Sequence, residues 1–285
     1  MSPSFRTTSL LDERTEARPN PRQEAALRAR GVSPGRKRAV TLARGVAGVL
    51  TVALLWEVLP QLGLLDAYFI PPLHVVLGAW WDLIASGELW RHLQASLVRS
   101  GVGFVLATVL AIPIGAAIAW YRPVREFFQP VLEVFRNTAA LALLPVFTLL
   151  LGIGEASKIA IITYACFFPI LLSTISGVAT VDPQLLRSAK VLGLSPIATF
   201  RKVVFPAAVP TIFTGIRISG AAAILVLIAA ELVGANAGLG FLITYSNNNM
   251  LIPKMYAAIL TTSVLGLAVN YGLVALERRF SRWRP

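Results

Sequence analysis

The chain has 285 residues, of which 56% are hydrophobic and only 14% charged, with a formal net charge of +12. A soluble domain carries about 25% charged residues, so composition excludes a soluble globular fold and predicts an all-α, polytopic protein embedded in a lipid bilayer. The basic residues sit in the tails and short loops rather than on one folded face, which argues against nucleic acid as a partner. The single cysteine, Cys166, rules out a disulfide within the chain, and His74 and His92 lack the neighbours that a metal site needs.

Residues 1–42 are polar and rich in Arg, Pro, Ser and Glu, which predicts a flexible basic tail on the cytoplasmic side. No apolar core followed by a cleavage site marks it as a signal peptide. Arg36, Lys37, Arg38 and Arg44 stand just before the first apolar run, where they anchor topology and can touch anionic lipid. The rest, 43–285, reads as one transmembrane domain. A bilayer core takes about 20 apolar residues as a helix. Six stretches meet that length, at 43–62, 97–120, 133–152, 158–179, 210–233 and 255–277.

The first run carries Glu57 beside Trp56 near its far end. Between the first two runs, Pro71-Pro72 opens a helix whose Trp80 and Trp81, with Trp90 further on, suit the outer membrane surface. Arg136 and Asn137 mark the cytoplasmic end of the third run, and Pro145 lies within it. Pro169 sits inside the fourth and predicts a kink. Glu231 lies deep in the fifth, where a charge costs about 2.5–3.5 kcal/mol and normally faces the bundle interior or a water-filled path. It reads as a structural or gating group rather than a contact for an anionic solute, which it would repel. Gly234, Gly238 and Gly240 then permit a tight re-entrant-like loop, with Asn236 among its polar groups. Asn270 in the sixth run predicts a helix–helix hydrogen bond.

Lys and Arg placement sets orientation. With a cytoplasmic N-terminus, the inner segments hold nearly all the basic residues and the outer ones hold only Arg91, Arg99, Lys158 and Lys254. Both termini then face the cytoplasm, an even number of spans is required, and the polar interval between the fourth and fifth spans also lies inside.

That interval, 182–209, is not itself a span. Leu185, Leu186, Ala189 and Leu192 share a helical face, with Arg187 and Lys190 off it. Pro183 suits a first helical turn and Gly193 a helix end. Ile197, Phe200, Val203 and Val204 repeat the pattern, which predicts two short amphipathic helices joined by a glycine turn. Ser188-Ala189, Gly193 and the closing Phe205-Pro206 resemble the cytoplasmic coupling loop of ABC importer permeases. Arg187 stands where that family usually has an acidic residue, and Ser188 where it has an alanine. GIGEASK at 152–158 and GLG at 238–240 resemble the nitrate, sulfonate, taurine and bicarbonate branch of the same family.

The resemblance implies a type I importer permease fold of about six spans in a bacterial inner membrane. It implies a coupling surface for an ABC ATPase subunit at Leu185, Leu186, Arg187, Ser188, Ala189, Leu192, Gly193, Phe200 and Pro206. Arg136, Asn137, Glu231 and Asn236 read, from their own placement, as candidates for the translocation pathway or its gate. The resemblance also implies a homodimer and an extracytoplasmic solute-binding protein that delivers a small solute, such as nitrate, a sulfonate or bicarbonate. No P-loop or hydrolase motif occurs in the chain, so ATP and Mg belong to the partner ATPase and the chain itself reads as neither an enzyme nor a cofactor carrier. A secondary transporter, a scaffold, and an importer of aromatic acids or pyrimidine precursors remain as alternatives.

Overall fold

The computed structural model describes residues 34–280, and the side chains of 43–279; the expected tail before residue 34 lies outside them. The chain divides into two compact units, Met1–Trp56 and Glu57–Pro285. Helix α1, Pro34–Gln61, crosses that division and carries the first span, Ala43–Gln61. It begins at Pro34, so Arg36, Lys37 and Arg38 belong to its first turns rather than to a tail. Gly63 ends it in the left-handed conformation, with Gly63 N–H bonded to Pro60 O and Leu64 N–H to Leu59 O.

In the second unit the order is α2 (Leu73–Ala85), α3 (Glu88–Trp120), α4 (Arg122–Asn137), a 3-10 turn (Ala140–Leu143), α5 (Leu144–Leu151) and α6 (Glu155–Ala179). Then come α7 (Pro183–Val191), α8 (Pro196–Thr199), a π turn (Phe200–Val204), α9 (Phe205–Leu232), α10 (Leu239–Asn248) and α11 (Ile252–Phe280). No strand occurs among the described residues.

Three expected boundaries change. The second span starts at Glu88, not at 97, because Gly87, in a left-handed turn, lets the chain leave α2 and begin α3 at once. The third run is not one straight helix. It breaks after Asn137, and the two arms, Arg122–Asn137 and Ala140–Leu151, meet at 89°. Phe135 stacks on Phe168 with ring centroids 5.4 Å apart, and Tyr164 packs edge-on against Phe135, Phe147 and Phe168, so an aromatic cluster holds both arms of the bend against α6. Finally, the second helix of the 182–209 interval is not separate. Residues Pro196–Leu232 form one continuous 37-residue helix that includes the fifth span. Its π turn precedes Pro206, whose ring would otherwise collide with the carbonyl one turn back.

The core is a sandwich of α3, α6 and α9. Apolar lipid gives helices no hydrophobic reason to associate, so small residues and close backbone approach supply the packing. Gly103, Ala107, Ala111 and Gly115 form a four-residue ladder along α3, all buried. A Cβ on Gly103 would lie 2.8 Å from Ile162, and one on Gly115 would lie 2.9 Å from the Leu171 carbonyl. Both numbers rise together along the two helices, so α3 and α6 run parallel. Gly177 faces Ala208 and Thr211 while Gly215 faces Ser173 and Pro169, so α6 and α9 run antiparallel. Two parallel neighbours must begin at the same face of the membrane. The bent segment between them therefore counts as one span, which makes six candidate spans among the described residues. Trp80 donates to Thr261 Oγ1 at 2.9 Å and ties α2 to α11, while Trp81 and Trp90 stay exposed, as an interfacial belt requires.

Candidate functional site

At one end of the α3–α6–α9 sandwich lies a network of four charges, three of them buried and the fourth, Glu155, exposed. Arg99 of α3 is 3% exposed and Glu231 of α9 is 1% exposed. Arg99 grips Glu155, the first residue of α6, with two parallel bonds: Nε to Oε2 at 2.5 Å and Nη2 to Oε1 at 2.6 Å. Its Nη1 donates to Glu231 Oε1 at 2.6 Å and to the Ala237 carbonyl at 2.6 Å. Bidentate guanidinium–carboxylate pairing of this kind fixes direction as well as distance. Lys158, also buried, donates to the carbonyls of Gly154 and Gly234 at 3.1 and 3.2 Å. Two cations thus meet two anions, and the cluster is neutral as a whole.

The network also caps a helix. The first N–H groups of α10 have no partner within that helix. Gly238 N–H donates to His92 Nδ1 at 3.1 Å, Leu239 N–H to Ser96 Oγ at 2.8 Å, and Gly240 N–H to Glu231 Oε2 at 2.9 Å. Ser96 Oγ in turn donates to the Glu231 carboxylate at 2.9 Å. The negative carboxylate at a helix N-terminus is favoured by the macrodipole as well. A Cβ on Gly238, whose φ is +122°, would collide with the Glu231 carboxylate, and one on Gly240 would lie 2.6 Å from the Ile228 carbonyl. The glycines of the re-entrant-like loop are there because backbone must come this close to a buried acid.

Of the four residues placed on a pathway by sequence, only Glu231 belongs to this network. Asn236 lies exposed on the loop that the network holds. Asn137 donates to the Glu133 carbonyl at 2.8 Å and so closes the C-terminal end of α4. Arg136 lies elsewhere, on a cleft of about 350 Å³ between α4 and α6. Arg217 pairs with Glu277 at 3.0 Å. Sequence counting put Arg91, Arg99, Lys158 and Lys254 in the segments expected outside; the structure buries Arg99 and Lys158 in the charge network. Arg99 and Ser96 were missed as partners of Glu231, and Glu155 and His92 as further members of the network. The available signal was a lone arginine in one apolar helix matched by a lone glutamate in another, since intramembrane charges pair.

At the opposite end stands the hairpin of α7 and the start of the Pro196–Leu232 helix. Asp182 caps α7 through Gln184 N–H at 2.7 Å, and Ser195 caps the next helix through Ala198 N–H at 3.3 Å. Gly193 takes φ +69°, with its N–H on Lys190 O and the Leu194 N–H on Ala189 O, the paired bonds of a Schellman closure. The residues chosen from sequence divide in two. Ala189 is buried, and Phe200 packs on Trp120 and Phe205 over a core of Val178, Val181, Val204, Ala208 and Ile212. Leu185, Leu186, Arg187, Ser188 and Leu192 are exposed, and the tip presents Val191, Leu192 and Ile197 at 87, 76 and 81% exposure.

Residues 110–282 match the family model described as binding-protein-dependent transport system inner membrane component. The chain is 35% identical over 252 residues to the putative aliphatic sulfonates transport permease SsuC of Bacillus subtilis, covering 88% of this chain and 91% of that one. It is 34% identical over 251 residues to the taurine transport system permease TauC of Escherichia coli, covering 86% and 90%. Among solved structures, an inward-facing form of the MetNI methionine ABC transporter overlays with a TM-score of 0.57 at 17% identity, over 68% of this chain and 98% of that one, which speaks for the fold. The matched residues take in the bent third span, α6, the hairpin, α9 and Glu231, and on that ground the chain belongs to the family of binding-protein-dependent inner membrane transport components, the membrane-spanning permeases of ABC importers.

Proposed function

We propose that two copies of this chain form the translocation pathway of an ATP-driven importer for a small anion of the sulfonate class. An ABC ATPase binds each hairpin and holds the ATP and Mg. A solute-binding protein delivers cargo at the far side, and both termini and the hairpin face the cytoplasm of a bacterial inner membrane. The observation that carries this reading is the unbroken Pro196–Leu232 helix, which has an exposed apolar hairpin at one end and the buried Glu231 at the other. At 1.5 Å per residue it is about 55 Å long. A push on the hairpin therefore moves the outer end of α9 as a rigid rod rather than dissipating in a loop.

The exposed apolar tip gives the ATPase something to hold. Val191, Leu192 and Ile197 are held out to water by a closed turn, and burying an apolar side chain of that size contributes about 1.5–3 kcal/mol. Closure of two ATPases on ATP would draw the paired hairpins together and tilt α9, and hydrolysis would reset them.

The test is co-purification in mild detergent followed by ATP-dependent uptake in proteoliposomes. Leu192→Glu is expected to insert and fold but to lose the ATPase and abolish uptake. Retention of the ATPase by that variant, or uptake sustained by an ion gradient without ATP, would overturn the reading.

A further inference from the structure

Helix α4 carries exposed apolar side chains on one face and a polar stripe on the other, around the single buried residue Leu132. Phe127, Val131 and Val134, at helical spacing, point away from the bundle and are exposed, as they would be against lipid or another apolar face. On the opposite side Arg125, Gln129, Glu133 and Arg136 form a polar stripe along the cleft, closed on its far side by Leu172 and Ile175 of α6. Neither guanidinium has an ion-pair partner among the described residues, and the lining carries two positive charges against one negative. The cleft opens at the end of α6 that leads into the hairpin. Gln129, Glu133 and Arg136 are exposed along the cleft and Arg125 is half-buried, so the donors are open to water and to a solute.

Resting on the importer reading above, we propose that this cleft is an oxyanion-binding vestibule on the solute's route, in which Arg125 and Arg136 supply the donors. Guanidinium groups suit sulfonate or nitrate because their planar forks match pairs of oxygens on the anion. The two arginines are three helical turns apart on one stripe, so an anion leaving one meets the other and is passed along rather than trapped. Gln129 lies between them as a neutral donor. Glu133 keeps the site weak, and a route must release what it binds.

The probe is trifluoromethanesulfonate, followed by fluorine NMR line broadening with the full chain and its ATPase in non-ionic detergent. The wild type is expected to broaden the signal. Arg125→Gln with Arg136→Gln is expected to weaken binding by about tenfold or more, the effect of losing charged hydrogen bonds. Glu133→Gln is expected to strengthen it, and dioleoylphosphatidylglycerol should not displace the probe. Equal broadening in wild type and the double arginine variant overturns the proposal, as does its absence in the wild type. Displacement by phosphatidylglycerol also overturns it and marks the cleft as a lipid-headgroup site. Retention of the ATPase by the arginine variant shows that it is folded, and it keeps the two readings separable: Leu192→Glu loses the ATPase and keeps the anion, whereas the arginine variant does the reverse.

Discussion

Arg99 satisfies two carboxylates and a carbonyl in a space that water barely reaches, so its removal costs more than the bonds it makes. Arg99→Ala leaves Glu231 buried without its counter-charge, and breaking a buried pair from one side costs about 3–5 kcal/mol. Unfolding in mixed micelles is expected to show that loss, and Arg99→Met combined with Glu231→Gln is expected to recover most of it, because the orphaned charge is gone. Glu155→Gln is expected to cost less than Glu231→Gln. The Glu155 side chain is 64% exposed and water can replace its partner, whereas that of Glu231 is fully buried. A double-mutant cycle on each pair measures the difference directly. Gly238→Ala should fail on two counts, a left-handed backbone angle and a methyl group aimed at the Glu231 carboxylate.

Among the elements, the hairpin and the sandwich respond to different substitutions. Gly193 sits in open space, so a side chain there meets no steric neighbour; the difficulty is its φ of +69°. Gly193→Val therefore costs about 1–2 kcal/mol or more in backbone strain confined to the turn. Normal membrane insertion with lost uptake is the expected result, read from membrane fractionation and transport assays on the same preparation. Gly115→Leu works the other way. Its Cβ would sit 2.9 Å from a carbonyl of α6, so the helices must part along the whole ladder. The expected readout is a drop in folded yield on size-exclusion chromatography, not a selective loss of transport. The hairpin was legible in the sequence because its signals are local: Pro183 at a first turn, Gly193 at a helix end, and apolar residues at helical spacing on either side; the Asp182 and Ser195 caps were equally local but went unread. The bend after Asn137 was not legible, since Thr138 and Ala139 carry no breaking signal and the cause is an aromatic cluster assembled from α4, α5 and α6. Pro113, Pro169 and Pro210 lie inside helices that run on past them.

For the molecule as a whole, the parallel run of α3 and α6 favours six spans among the described residues, and with the basic-residue bias it predicts sidedness. Cys166 is the chain's sole cysteine and is buried, so the background for thiol labelling is low. A cysteine at Gln184 is expected to react with membrane-impermeant maleimide only from the cytoplasmic side, and one at Asn249 only from the outer side; both are exposed. Labelling of both from one side would overturn the six-crossing path. Span number and the importer fold could be read from hydropathy and short motifs because each depends on neighbours in sequence. The charge network could not, because its members lie 56 and 132 residues apart and only helix register brings them together.

That separation has a consequence for biogenesis. A ribosome adding about 5–20 residues per second delivers Glu231 roughly ten seconds after Arg99. Glu155, only 56 residues on, is made first, so during that interval Arg99 has one of its two acids and still lacks the buried one. The network thus closes only when the ninth helix joins the third and sixth, and a chain released before then is expected to keep the Glu155 pair but lack the cap on the tenth helix.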